Sequence, residues 1–373
     1  MKLDTVGGMN WVAWLVNPFM GAALQEQYLP LAFESGDRMH ATTALFFEAL
    51  VSAGAGTKAH ARTRRHAEAT HAMTDGLDAP VVQVLRSGLD GTVALMEGRF
   101  SSALDMLAEA ERLAIESSAW PGHGSVRMIV STMRLNAMFW LGRASDVLRE
   151  TPPQLQRAED RGHLTSWLWL RMMEAWALGC CGKVEAARDV AAAMRARMPS
   201  SGFELIKWYL AHLHIQFALE SGDVEGAWRA VVTTRQETRF SLTSQPQRIF
   251  GWWLMAAAAL ARAATTDRFA MLKEARRLGS RIEGEQAAWA LGIARGIDAG
   301  VAAVEGNSAQ SVALYAEAET RLREHHLELA AAAAACARAT LMHDEDAGAR
   351  ALASVPGISR HALWTQLPGG WTP

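Results

Sequence analysis

Residues 126–147 read VRMIVSTMRLNAMFWLGRASDV, an apolar helical pattern followed by a glycine and the start of another helix. Before Gly142, apolar residues recur with the three- and four-residue spacing of one helix face. These residues are Val126, Ile129, Val130, Met133, Ala137, Trp140 and Leu141. Glycine suits the turn because it adopts a left-handed backbone without steric cost. The segment therefore predicts a hairpin of two antiparallel helices.

The same turn recurs along the chain at a nearly constant distance. The glycines that mark it are Gly56, Gly98, Gly142, Gly182, Gly222 and Gly306. Their spacing is about 40–44 residues with one double interval, which is the length of a helical-hairpin repeat. The same phase predicts further turns near Thr266, at Asn17–Pro18 and at His343–Asp346. We therefore predict that residues 1–373 form a single all-α solenoid of about eight to nine hairpins, wound as a right-handed superhelix.

Small residues and capping residues follow these turns. A small residue lies five positions after five of the glycines, at Ala61, Ala103, Ala187, Ala227 and Ser311. A large side chain there would push two crossing helices apart, so we expect Ala103, Ala187 and Ala227 to be buried at helix crossings. Asp223 and Asn307 directly follow two of the glycines, and we expect each to cap the next helix.

The composition limits the classes of partner. The chain has 373 residues and is 50% hydrophobic, which is ample for a continuous core. Its formal net charge of −2 gives no global attraction for nucleic acid or for an anionic membrane. Three cysteines do not make a disulfide framework, and no stretch is long and apolar enough to span a membrane. We expect a cytoplasmic protein without a nucleic-acid or membrane partner.

No motif in the chain carries a convincing catalytic or metal-binding signature. Residues 52–58 are glycine-rich but lack the Gly-Lys-Ser/Thr ending of a phosphate loop, and their flanks are helical. His66 and His71 are five residues apart, so on a helix they point about 140° apart and cannot easily share one metal ion. The basic run from Arg62 to His66 lacks interleaved aromatic residues. We therefore predict no enzyme activity, no cofactor and no metal.

Tryptophan is the most unusual part of the composition, with 14 residues. Most of those in the middle of the chain fall on first helices of hairpins, which usually line the concave side of a helical solenoid. Aromatic side chains there would form a groove for a peptide or a flat small ligand, although tryptophan also serves as core packing. Of the five tryptophans named in the next sentence, we expect at least two to be partly accessible in one concavity. The predicted binding residues are Trp167, Trp169, Trp208, Trp252 and Trp253, with Arg134, Arg171 and Lys207 as donors.

The hairpin pattern resembles tetratricopeptide repeats. Gly98, Ala103, Leu107 and Ala110 match the Gly-x4-Ala-x3-apolar-x2-Ala spacing of those repeats, with a longer period. Several longer stretches resemble the C-terminal repeat region of large bacterial serine/threonine protein kinases of the myxobacterial type. These stretches are residues 97–113, 138–143, 203–228 and 367–371. The resemblance implies that the ending Leu367–Trp371 is the natural end of such a region, whereas the N-terminus looks cut from a longer chain.

The resemblance covers only the repeat region of those kinases. The chain has no glycine-rich loop with a paired lysine, no His-Arg-Asp or Asp-Phe-Gly motif and no Walker motif. Kinase and ATPase activity therefore cannot be transferred to any residue here. What the resemblance implies is a non-catalytic module of a bacterial signalling system that binds a protein or peptide. The alternative is a sensor module that binds a metabolite, a small-molecule effector, in a tryptophan-lined groove.

Overall fold

A computed structural model describes residues 2–77, 79–116, 123–238, 243–265, 268–369 and 371 of the chain. These described residues form nineteen α-helices and no strand, so the predicted all-α class is confirmed. The first ten are α1 (Lys2–Val16), α2 (Pro18–Glu34), α3 (Arg38–Gly54), α4 (His60–Thr74), α5 (Pro80–Met96), α6 (Phe100–Glu116), α7 (His123–Trp140), α8 (Ala144–Asp160), α9 (Leu164–Cys180) and α10 (Val184–Arg197). The others are α11 (Glu204–Glu220), α12 (Val224–Glu237), α13 (Gln245–Ala263), α14 (Arg268–Gly284), α15 (Leu291–Glu305), α16 (Ser308–Glu324), α17 (Glu328–Leu341), α18 (Glu345–Ala353) and α19 (Arg360–Gln366).

Consecutive helices pack as hairpins, numbered 1 to 9 from α1/α2 to α17/α18, and α19 follows the last of them. All six glycines of the predicted series lie in turns and have left-handed backbones, with φ between 71° and 89°. The turns predicted at Asn17–Pro18 and at His343–Asp346 are also present. Thr266 lies outside the described residues, but α13 ends at Ala263 and α14 begins at Arg268. The predicted hairpin solenoid is therefore confirmed.

The small residues after the turns are buried in every case but one. Ala103, Ala187 and Ala227 have no exposed surface, as predicted. Ala61 is exposed, so the prediction is wrong for that hairpin. A single 3-10 turn at Thr57–Ala59 delays the start of the helix, and Thr63 takes the buried position instead. The repeat phase holds, with a local shift at its first glycine.

A leucine at Ala187 is expected to lower the free energy of unfolding by about 1–3 kcal/mol, because the extra carbons would overpack a filled helix crossing. Chemical denaturation of Ala187→Leu measures this loss. Ala193 lies on the same helix, α10, and is exposed, so Ala193→Leu is the matched control and should stay close to wild type. Equal stabilities for the two variants would contradict the assigned phase.

Capping and the connections between hairpins were only partly predictable. Asp223 caps α12, since its Oδ1 accepts from the backbone N–H of Gly226 at 2.7 Å. Asn307 precedes α16 but makes no capping hydrogen bond through its side chain, so that prediction is wrong. A second glycine series, which sequence reasoning missed, joins second helices to the next hairpin with left-handed backbones. Its members are Gly36, Gly76, Gly162 and Gly202.

The solenoid winds into two stacked coils that touch at regular intervals. The first coil is defined here as hairpins 1 to 5 (α1–α10) and the second as α11–α19. In the first coil, the C-terminal end of each first helix, or the turn after it, contacts the part of the chain that lies five hairpins further on. The contacting pairs are Val16 with Gly202, Gly56 with Gln245, Gly98 with Trp289, Gly142 with Leu329, and Gly182 with Ser359. Because the pairing repeats at every hairpin, five hairpins make one superhelical turn.

Polar bonds add to this stacking of the coils. Gln245 is buried and its Nε2 donates to Thr57 Oγ1 at 3.2 Å and to the Glu285 carbonyl oxygen at 2.8 Å. At the other edge of the interface, the backbone N–H of Ser359 donates to the Cys180 carbonyl oxygen at 2.9 Å. The two coils therefore form one continuous core rather than an open spiral.

Aromatic rings fill the space where the two coils meet. Trp140 of the first coil lies 4.9 Å from Trp289 of the second, measured between ring centroids. Phe100 stacks on Trp140 at 5.2 Å, and Phe139 meets Phe250 of the second coil at 5.1 Å. Where the two coils meet, the inner face of the first coil is thus largely covered by side chains of the second.

The C-terminal segment fills the inside of the second coil. Leu367 packs against Gly296, and the Gly369 carbonyl oxygen accepts from Tyr315 Oη at 3.2 Å. Trp371 is buried, and its Nε1 donates to the Leu367 carbonyl oxygen at 2.9 Å. The second coil is therefore plugged from within, whereas the first coil keeps an internal cavity.

Candidate functional site

A cavity with a volume of about 520 Å³ lies inside the first coil, against the start of the second. Its wall is built mostly from the first helices of hairpins 1 to 7, with Pro18 of α2 and Arg62 of α4, so it occupies the axis of the superhelix. The apolar residues of the wall are Trp14, Pro18, Phe47, Leu50, Val51, Gly54, Ala55, Leu95, Met96, Ile129, Met133, Trp140, Trp169, Leu205 and Pro246. The polar residues are Arg62, Asn136, Tyr209, Thr243, Ser244, Gln247 and Arg248. We call this space the lumen.

The lumen has an exposed rim and a buried floor. Val51 is 40% exposed, and Ala55 and Arg62 beside it are also exposed. Leu95 and Trp169 are each 2% exposed and lie at the buried end. A small molecule could therefore enter past α3 and α4 and become enclosed by side chains of both coils.

Two tryptophans of the lumen have unused hydrogen-bond donors. The indole Nε1 atoms of Trp14 and Trp169 are buried and have no hydrogen-bond partner. The Trp169 ring also meets the Tyr209 ring edge to face, at 5.6 Å between centroids. A buried donor without a partner costs about 1–3 kcal/mol, and both of these donors are enclosed by protein atoms rather than open to the lumen. These rings therefore offer the lumen flat apolar area.

Uncharged polar groups converge at the α13 side of the lumen. Gln247 Oε1 accepts from the backbone N–H of Ser244 at 2.7 Å, and its Nε2 reaches Tyr209 Oη at 3.5 Å. Burial raises the pKa of Tyr209, so its hydroxyl group stays protonated at neutral pH. Asn136 on α7 lies beside this pair and is itself buried. The group presents amide and hydroxyl functions without a formal charge.

Charge in the lumen is confined to its edges. Arg248 forms a two-pronged ion pair with Glu285, at 2.7 and 2.8 Å, so its charge is neutralised within the fold. Arg62 lies at the exposed rim, where its Nε donates to Ser52 Oγ at 2.9 Å. Within the described residues no carboxylate pairs with Arg62. The rim is therefore mildly cationic and the interior is neutral.

Only one of the five predicted tryptophans reaches the lumen. Trp169 lines it, whereas Trp167, Trp208 and Trp253 are buried elsewhere, with 4–7% exposed surface. Trp252 alone has intermediate exposure. The expectation that at least two of the five would be partly accessible in a shared concavity is therefore wrong. The second coil and the C-terminal segment cover the surface that would have formed the open groove.

Local contacts explain where the other tryptophans lie. Trp167 and Trp169 point to different sides of α9, and Trp167 is covered by the guanidinium groups of Arg171 and Arg197, at 5.4 and 4.5 Å from its ring centroid. Trp208 stacks on His212 at 3.9 Å. Burial lowers the pKa of His212 to about 4, so this ring is neutral packing rather than a charged group. These tryptophans do not share one surface, and a binding role for each of them stays a prediction.

The three predicted cationic donors do not line the lumen. Arg134 is mostly enclosed, and Lys207 borders a separate cavity of about 420 Å³ together with Trp208. Each cation is held by carboxylates nearby: Arg134 by Glu111 (2.6 Å) and Glu150 (2.5 Å), Arg171 by Glu174 (2.7 Å), and Lys207 by Glu204 (3.4 Å).

Sequence reasoning missed most of the lumen. Trp14, Asn136, Trp140, Tyr209 and Gln247 carry its distinctive chemistry and were not singled out. One signal was present, because Met133, Asn136 and Trp140 are three and four residues apart on α7 and so share one face. A polar residue inside such an apolar stripe indicates a site that is neither plain core nor plain surface.

No protein-family model matches the chain, and comparison with curated proteins and with solved structures found no match. Of the helices in the described ranges, none combines the length and the apolar composition needed to cross a bilayer. Among the residues that the structure describes, no three His, Cys, Asp or Glu side chains come together as a metal site would require.

Proposed function

We propose that this chain is a non-catalytic binding module that encloses a small, mainly apolar molecule in the lumen of its first coil. The observation that carries the proposal is the cavity itself. Its volume of about 520 Å³ falls within the roughly 300–1,000 Å³ of pockets that enclose small ligands. Its wall is mostly apolar and aromatic, with few polar groups, which is the usual composition of such sites.

The wall chemistry describes the ligand. A flat or aromatic body fits beside the rings of Trp14, Trp140 and Trp169. The amide and hydroxyl groups near Gln247 favour a neutral polar substituent at the inner end. A negative charge on the ligand fits only at the rim, beside Arg62.

Binding in this position would act on the whole superhelix. The lumen is lined by α1, α3, α5, α7 and α9 of the first coil and by α11 and α13 of the second. A ligand that touches both coils stabilises the stacked form by mass action, by about 2.7 kcal/mol at a concentration of 100 times its Kd. Within this proposal the chain acts as a sensor whose two coils are drawn together by the ligand.

Closing the mouth of the lumen tests the proposal. Anilinonaphthalene sulfonate has an aromatic body and a negative group and serves as the probe. Wild-type protein is expected to bind one dye molecule per chain, with increased dye fluorescence. Val51→Trp places a large ring at the rim and should weaken dye binding about 10-fold or more, a change of about 1.4 kcal/mol. A fluorescence titration measures both.

Val232 provides the matched control. It is an exposed valine of similar accessibility, 45% against 40%, but it lies on α12, away from the lumen. Val232→Trp should bind the dye like wild type. If the Val51 variant binds as tightly as the Val232 variant, the dye does not occupy the lumen and the proposal fails.

The other candidate function is the one that the kinase-region resemblance implies, namely binding of a protein or peptide in a bacterial signalling system. A peptide laid along the inner face would have to displace the second coil or the C-terminal segment, because these already occupy it. We therefore propose that the small-ligand module itself has the signalling role and is cytoplasmic. Its outer surface would pass the signal of ligand binding to a protein partner.

A further inference from the structure

Three arginines converge on a small groove at hairpin 4, away from the lumen. Arg127 lies on α7, Arg157 lies on α8, and Arg161 follows the end of α8. His163 completes the same wall just before α9. None of the three arginines has an ion pair or a hydrogen bond to a side chain anywhere in the described ranges. This contrasts with Arg134 of the same hairpin, which is held by two carboxylates.

The nearby carboxylates are already engaged elsewhere. Glu111 borders the groove, but it accepts from Arg134 Nε at 2.6 Å. Glu159, on the other side of α8, is paired with Arg197 at 2.9 Å. Asp160 accepts from the Gln156 side-chain amide at 2.7 Å. The three guanidinium groups therefore leave local positive charge that the fold compensates only in part, through the charge of Glu111.

The arginines also repel one another. Burial lowers the pKa of Arg127, the positive charges of Arg157 and Arg161 lower it further, and the charge of Glu111 opposes the effect. An arginine stays charged at neutral pH whatever such shifts do. An anion bound between the three groups would remove this repulsion and gain charge-assisted hydrogen bonds.

The shape and the remaining donors of the groove match a small oxyanion. Its volume is about 70 Å³, far below the roughly 300–1,000 Å³ of pockets that enclose drug-sized ligands. Gln154 Oε1 accepts from Ser131 Oγ at 2.6 Å, which leaves the NH₂ group of that amide as a donor. Planar guanidinium groups pair with phosphate oxygens in a two-pronged geometry, which lysine cannot do.

We propose that the groove formed by Arg127, Arg157 and Arg161 binds a phosphate-type oxyanion. The ion is either free inorganic phosphate or the phosphate group of a small phosphorylated molecule whose remainder lies outside the groove. The site is independent of the lumen, since the two share no lining residue. The bound anion neutralises the positive charge of these arginines in the gap between α7, α8 and the start of α9.

Calorimetric titration with inorganic phosphate, at constant ionic strength maintained with sodium chloride, tests the proposal. Wild-type protein should bind one phosphate per chain in the millimolar range or tighter. Arg157→Gln and Arg161→Gln are expected to weaken binding about 10-fold to 100-fold each, since each removes a charge-assisted contact. Both residues are exposed, so the variants should fold, and their thermal unfolding checks this.

Arg65 supplies the matched control, because it is an exposed arginine on α4, outside the groove. Arg65→Gln changes the net charge equally and should bind phosphate like wild type. A second titration with methyl phosphate separates the two sources: tighter binding than phosphate supports a phosphorylated molecule, and equal or weaker binding supports the free ion. The proposal is overturned if phosphate gives no saturable heat, or if the groove variants bind like Arg65→Gln.

Discussion

Replacing Gly98 by alanine is expected to lower the free energy of unfolding by about 2–5 kcal/mol. Two effects add. Gly98 has a φ of 80°, and an L-residue in this left-handed conformation is strained by roughly 1–2 kcal/mol. A Cβ would also overlap the Trp289 ring, which is 2% exposed and wedged between Phe100 and Trp140. Equilibrium denaturation with urea measures the loss.

Gly222 separates these two effects. Its φ is 74°, but a Cβ there would meet nothing within 4 Å, because no later coil stacks on this turn. Gly222→Ala should therefore show only the backbone strain of roughly 1–2 kcal/mol. The difference between the two variants measures the packing of one coil on the other. If both variants lose the same stability, the stacked-coil arrangement is wrong.

Glu220 is expected to make the stability fall as pH rises. Its side chain is 5% exposed, and one oxygen, Oε2, has no hydrogen-bond partner beside Gly179. Burial raises the pKa of this carboxyl group to about 8, although a hydrogen bond from Gln216 and the charge of Arg188 oppose the shift. The folded protein therefore keeps a proton that the unfolded chain has already lost.

The sign and size follow from proton linkage. The unfolded carboxyl group has a pKa near 4.5, so between about pH 4.5 and 8 folding requires uptake of a proton. The free energy of unfolding should fall by about 1.4 kcal/mol per pH unit across this window. It should level off above about pH 8. Glu220→Gln removes the titrating group, so this contribution to the slope should disappear when stability is measured by denaturation at several pH values.

Two histidines, the buried His212 and the half-buried His214, also titrate in this range, so a difference measurement is needed. His212 and His214 have pKa values lowered to about 4 by burial, so they stabilise the fold increasingly as pH rises from about 4 to 6.5. Subtracting the variant from wild type removes their contribution. Glu68 is exposed on α4 and carries the same charge, so Glu68→Gln should keep the wild-type slope. Parallel pH profiles for wild type and Glu220→Gln would show that the buried acid is not protonated.

The hairpins could be predicted because their cause is local. A left-handed backbone at Gly98 or Gly142 is required by a few neighbouring atoms, and glycine meets that requirement in the sequence itself. Four other left-handed positions could not be found in this way. They fall on Phe203, Gln286, His326 and His343, which are not glycine and are held by the surrounding fold.

The stacking of the coils could not be predicted because its cause is distant in sequence. A repeat period gives the hairpin length but not the number of hairpins per superhelical turn. Nothing near Gly98 indicates that Trp289 will cover it. The tryptophan prediction failed for this reason. Trp169 was predicted to lie in an open groove, and it lines an internal lumen instead.

The five-hairpin spacing between contacts also limits how this protein can evolve. In most repeat proteins each unit touches only its neighbours, so a lineage can gain or lose one unit without disturbing the others. Here, removing one hairpin between Gly98 and Trp289 would leave that glycine, and each of its equivalents, opposite the wrong partner. Inserting one hairpin between them would have the same effect. Gain or loss of a single internal hairpin is therefore disfavoured by geometry, and change between paired hairpins is expected through substitutions and loop insertions.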